Sequence, residues 1–137
     1  MIEFYEAWLF KAQNDLSTAE LAIRQVDPIT DTAIYHTQQC AEKALKGFLA
    51  YHRAAIPKIH NLVELVERCT AIDPAVESLL SDADDLTPLG TEFRYPDDCD
   101  GINDISQLFP TVEKVEAAIV QAKRILDFVK SKIVNKG

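Results

Sequence analysis

The sequence predicts an all-α protein, an antiparallel up-and-down bundle of four to five helices in a single domain spanning residues 1–137. Three observations carry that reading. Apolar residues recur at spacings of three and four through most of the chain, the period of a helix with one buried face. No segment alternates apolar and polar residues as a half-buried strand does. Proline and glycine are scarce, six and four, and most prolines fall between the periodic segments, where they punctuate helices. A chain of 137 residues, 47% hydrophobic, can build one well-cored domain and is short for two.

Each element follows from its own residues. Trp8, Leu9, Ala12, Leu16, Ala19, Ala22 and Ile23 keep the helical period from about Phe4 to Arg24. Asp27-Pro28 ends that run, because proline disfavours helix in the residue before it. A second helix starts near Thr30-Asp31, a plausible N-cap, and runs to about Tyr51. Residues 53–59, with Pro57, form a connection. His60 or Asn61 caps a third helix carrying Leu62, Val63, Leu65 and Val66. Asp73-Pro74 reads as a cap with proline at the first helical position, opening a shorter helix through Val76, Leu79, Leu80 and Ala83. From Thr87 to Gln107 no period survives, and the segment reads as a long surface loop, which in a compact domain is usually functional or mobile. The last helix runs from about Phe109 to Val134, with Val112, Val115, Ala118, Ile119, Ala122, Ile125, Leu126, Val129 and Ile133 on its buried stripe.

Composition excludes several function classes. A net charge of −8 argues against a surface that grips nucleic acid throughout, since phosphate neutralisation needs clustered Lys and Arg. No apolar run approaches the roughly 20 residues of a membrane span, and the first residues lack the layout of a secretion signal. Cys40, Cys69 and Cys99 show no CxxC spacing and read as reduced, unligated thiols of a cytoplasmic protein. Asp97, Asp98 and Asp100 lack the oxygen-ligand spacing of a calcium loop, so no metal or cofactor is implied.

The most informative segment is His36 to His52. Ala41, Ala44, Leu45, Phe48 and Leu49 form a stripe that needs burial, while Gln39, Glu42, Lys43 and Lys46 recur at the same spacings as a dense polar row. On spacing alone that row is equally a solvated face, with Glu42 and Lys46 an i,i+4 pair, or a ligand or partner surface. Asp15, in the middle of an otherwise Ala- and Leu-rich helix, either faces water or pairs with Lys43, Lys46 or Arg94. Arg94 can hold a phosphate or carboxylate bidentately and Tyr95 can stack on a base or a partner residue; an Arg that clamps its loop onto the first two helices is the duller alternative.

Four blocks together resemble a HEPN domain (higher eukaryotes and prokaryotes nucleotide-binding). They are Ala12-x-x-Asp15-Leu16-x-x-Ala19, Gln38-Gln39-x-x-Glu42-Lys43-Ala44-Leu45-Lys46, His60-Asn61-Leu62 and Phe93-Arg94-Tyr95-Pro96. The resemblance implies an all-α bundle, often dimeric, whose prokaryotic members are often paired with a small nucleotidyltransferase in a toxin–antitoxin-like system. It also implies that some branches are metal-independent ribonucleases using an Arg-x4-6-His motif. At the matching place this chain reads Arg94-Tyr95-Pro96-Asp97-Asp98-Cys99-Asp100-Gly101, with the arginine and no histidine. Arg53 and His60 have the right spacing but stand elsewhere, across a proline-containing turn.

Two functions of different class follow. The first is a non-catalytic module binding a nucleotide or a nucleotidyltransferase partner through Asp15, Gln39, Glu42, Lys43, Lys46, His60, Arg94 and Tyr95. The second is a ribonuclease toxin acting on RNA through Arg94 or the Arg53–His60 pair. Phe4, Trp8, Phe109 and Phe128 are more large apolar surface than one small bundle must hide, which predicts a homodimer.

Overall fold

A computed structural model describes residues 1–96 and 101–134. Five α-helices account for most of them: α1 Phe4–Ile23, α2 Thr30–Tyr51, α3 Leu62–Thr70, α4 Leu80–Leu86 and α5 Val112–Val134. Among the described residues there is no strand. The core is built where the apolar periods predicted it: Ala12, Leu16, Ala41, Leu45, Phe48, Ala122, Ile125 and Leu126 are all buried.

The directions of the helices can be read from their contacts. Tyr5 of α1 meets Tyr51 of α2 edge to face, with ring centroids 4.9 Å apart, so these two helices are antiparallel. Close approach is possible because Gly47 faces α1: a β-carbon there would stand 3.1 Å from Leu9 Cδ2. α3 packs against α2, and α4 against α3 and α5. Asp82 and Asp85 of α4 then bind Arg124 and Gln121 of α5, and Lys130 of α5 donates to Gln13 of α1 at 3.0 Å. α5 therefore lies antiparallel to α1 and fills the groove between it and α2.

Helix ends agree with the sequence where a side chain does the capping. Asn61 Oδ1 accepts from the Glu64 N–H at 3.1 Å and Asp73 Oδ1 from the Ala75 N–H at 3.0 Å. Four expectations need correction. Ile29, not Thr30 or Asp31, is the N-cap of α2, with no side-chain cap. Pro74–Leu79 winds as a 3-10 turn before α4. α5 starts at Val112 rather than Phe109, because Phe109 precedes Pro110 and is extended (φ −131°, ψ 138°). The segment 87–107 is not one plain loop: Thr87–Gly90 and Ile105–Leu108 are 3-10 turns, and Leu89 is buried in the core.

The end of α2 is unusual. The Arg53 N–H bonds to the Ala50 carbonyl at 3.0 Å and the Ala54 N–H to the Leu49 carbonyl at 2.9 Å, the double bond of a Schellman cap. That cap places its penultimate residue in the left-handed region, a position glycine usually takes. Here it is Arg53, at φ 56°, the one non-glycine residue with positive φ among those described. A side chain there costs about 1 kcal/mol.

Candidate functional site

The polar row of α2 is largely not a solvated face. Glu42 and Lys46 are buried, as are Gln38 beside them and Asp15 on α1. Burying these groups is tolerable only if each is paired, and they are.

Asp15 sits between Ala12, Leu16 and Ala19 on the inward face of α1, so its carboxylate enters the α1–α2 interface. One oxygen meets Lys43 Nζ at 2.6 Å and the other His36 Nδ1 at 2.7 Å. His36 and Lys43 are two turns apart on α2, the spacing that lets one carboxylate bridge them. Of the three cations proposed for Asp15, Lys43 is the partner. His36 is a second partner that the sequence reading missed; its place seven residues before Lys43 was the available signal. Beneath this cluster the buried Cys40 thiol is pushed up to about 12, first by burial and then by the Asp15 charge, so it stays protonated and unreactive.

Glu42 organises a second cluster. One of its oxygens accepts from Lys46 Nζ at 3.1 Å, and both stand 3.1 Å from His60 Nδ1. The His60 side chain is 80% exposed while the Glu42 side chain is 5% exposed, so a buried carboxylate orients a solvent-facing imidazole. Lys46 Nζ also lies 5.9 Å from the centre of the Trp8 ring. The amides continue the network: Gln39 Nε2 donates to Gln38 Oε1 at 2.9 Å, and Gln38 Nε2 to the His60 carbonyl at 3.3 Å.

Arg94 forms the third part. The turn Thr87–Gly90 and the bond from the Arg94 N–H to the Thr91 carbonyl, 3.1 Å, bring its side chain over α2. There the guanidinium carbon lies 4.6 Å from the centre of the Tyr35 ring and 5.6 Å from that of Tyr95, within cation–π range. Tyr35 is another residue the sequence reading passed over, although it stands one turn before Gln38 and Gln39. Tyr35, Gln38, Gln39, His60, Gly90 and Arg94 surround a cleft of about 150 Å³. Gly90 is required by closeness: a β-carbon there would stand 2.9 Å from Gln38 Cδ.

Gln39, His60 and Arg94 therefore share one cleft. Glu42 and Lys46 support it from beneath, and Asp15 and Lys43 form a neighbouring pair. Arg53 is not part of it. It lies just past the end of α2, about three turns or 16 Å along the axis from Glu42, while His60 is held at Glu42. Asp97, Asp98, Cys99 and Asp100 lie outside the described residues. Among the described residues no three His, Cys, Asp or Glu side chains gather in a way that could hold a metal ion, and no helix is long and apolar enough to cross a membrane.

A five-helix bundle with an internally neutralised polar strip and a loop arginine beside it defines a small all-α domain with one polar cleft. Comparison with known proteins places it further. The HEPN domain model matches residues 5–132, and the chain belongs to the HEPN family. The crystal structure of TT1696 from Thermus thermophilus superimposes with a TM-score of 0.82 at 27% identity, over 96% of this chain and 99% of that one. ST0689, an archaeal HEPN homologue, does so with a TM-score of 0.73 at 30% identity, over 96% and 99%. No curated protein matches the chain.

Proposed function

We propose that this protein is a non-catalytic HEPN module whose Arg94 cleft receives one end of a nucleotide, or a group presented by a small nucleotidyltransferase partner. One observation carries this reading. The lysines of the α2 row are neutralised from within, Lys43 by Asp15 and Lys46 by Glu42, whereas Arg94 is held on the face of Tyr35 at the cleft. A guanidinium kept in place by stacking retains its forked donors for a phosphate or carboxylate. The cleft, about 150 Å³, is smaller than the ~300–1,000 Å³ of sites that enclose a whole ligand. It suits a phosphate or a base, with the rest of the ligand outside. Isothermal titration with ATP tests this: saturable binding is expected, weakened about tenfold or more by Arg94→Ala. If ATP produces no heat, co-purification with a nucleotidyltransferase encoded beside the gene tests the partner form.

A second reading has its own observation. His60 and Arg94 line the same cleft, and Glu42 holds Nδ1 of His60, which leaves Nε2 as the proton acceptor of the neutral ring. Such a pair could take the proton of an RNA 2′-hydroxyl and stabilise the phosphorane charge, with no metal. RNA left intact by purified protein, together with normal growth of expressing cells, rejects this reading. Cleavage abolished by His60→Ala and by Arg94→Ala replaces the binding reading with it. In either form we propose a homodimer.

A further inference from the structure

A cleft larger than the one at Arg94 opens elsewhere on the bundle. It lies where α1 begins and α2 ends and measures about 780 Å³, lined by Phe4, Tyr5, Tyr51, His52, Arg53 and Ile56 among others. That is the size of sites that enclose small ligands. Its walls are rings that brace one another. Tyr5 and Tyr51 meet edge to face at 4.9 Å, and Tyr51 and His52 at 5.1 Å. Phe4 remains 65% exposed, although it is a large apolar side chain at the mouth of the cleft.

Arg53 is the second observation, independent of the first. It occupies the left-handed position of the α2 cap, which glycine would fill without strain. Strain at a single residue points to function when the surroundings impose it, and the Schellman bonds do so here. Its side chain is exposed and lines the cleft. Among the described residues no carboxylate pairs with it. The helix ends bring opposing partial charges to this place, the positive start of α1 and the negative end of α2, so neither selects the ligand's charge. Glu3 lines the cleft too, from the α1 side, where its side chain caps the helix. Arg53, from the α2 side, is the one guanidinium of the lining and the place where an anion would be held.

We propose that this cleft is a binding site, separate from the Arg94 cleft, for a planar aromatic ring carrying one anionic group. Arg53 holds the anion, and Phe4, Tyr5 and Tyr51 pack against the ring. Two sources share that chemistry: a nucleoside monophosphate, and an aromatic carboxylate such as a chain-terminal aromatic residue.

Ligand-observed NMR titrations of the whole protein test it, with AMP and N-acetyltryptophan as probes. Adenosine and inorganic phosphate are the controls that carry only ring or only anion. Arg53→Gly is the variant of choice because glycine favours the same cap, so the fold is kept. Saturable binding of N-acetyltryptophan is expected, weakened about tenfold or more by Arg53→Gly and unchanged by Arg94→Ala; AMP, which the Arg94 cleft would also admit, is titrated in the Arg94→Ala background, where adding Arg53→Gly should weaken it by a similar factor. Whichever probe binds tighter identifies the source. Adenosine binding as tightly as AMP, with N-acetyltryptophan silent, overturns the role of the anion. Binding lost in Arg94→Ala but kept in Arg53→Gly assigns the ligand to the other cleft and overturns this site. No saturable binding of either probe overturns it as well, leaving the Arg94 cleft to be judged on its own titration.

Discussion

Glu42 and Lys46 are a pair whose side chains are 5% and 7% exposed, 3.1 Å apart, and separated by one turn. Lys46→Met leaves a buried carboxylate whose remaining ionic partner is the mostly solvated His60, and we expect a loss of about 3 kcal/mol. The double variant Glu42→Gln, Lys46→Met leaves no buried charge and should recover most of that loss, which urea denaturation of the single and double variants would measure. Equal losses in both would show that the pair does not act as a unit. Gly90 offers a test aimed at the cleft. Gly90→Ala pushes on the buried Gln38 amide, which bonds to the His60 carbonyl, so ATP binding should weaken, and crowding this buried side chain should lower the unfolding midpoint as well. Unchanged ATP affinity would mean that Gln38 does not shape the ligand end of the cleft. The sequence could name Glu42, Lys43 and Lys46 but not their burial. An i,i+4 acid–base pair has one pattern whether water or Trp8 covers it.

At the scale of elements, Asp73 joins the turn before α4 to the end of α5. Its carboxylate caps the turn through the Ala75 N–H and pairs with Lys132 at 3.1 Å. These bonds, the backbone one first, hold its pKa below the ordinary carboxylate value of 3.8. A depressed folded pKa gives stability that is present above the ordinary value and is lost as pH falls through the folded one. Asp73→Asn should therefore lower the denaturation midpoint at neutral pH, with the difference from wild type vanishing at pH well below the carboxylate range. A difference that persists there would assign the effect to packing rather than to charge. Elements were legible in the sequence in proportion to their periodicity. α1, α2 and α5 follow from their apolar stripes. The turn Thr87–Gly90 does not, because four residues carry no period and its order comes from burying Leu89 and meeting Gln38.

For the whole molecule, large apolar side chains remain on the surface: Phe4, Phe10, Leu21, Phe109 and Val120 are each at least 43% exposed. We expect a homodimer at micromolar concentration, with twice the chain mass of 15.3 kDa in sedimentation equilibrium. A monomer mass across that range would count against it. The three clusters around Asp15, Glu42 and Arg94 also belong to this scale, since each joins residues from at least two segments far apart in the chain.

The sequence by itself determined the all-α class, the long helices and their buried faces, and the four blocks that mark a HEPN domain. Those features are local: a helix and its apolar stripe are written within about twenty residues. Only the tertiary structure decided that Glu42 and Lys46 of the polar row are buried, that His36 shares Asp15 with Lys43, that His60 joins Arg94 rather than Arg53, and that Arg53 lines a separate, larger cleft. Each of these depends on which side chains meet across the packed helices, and a spacing along one helix does not record what lies opposite.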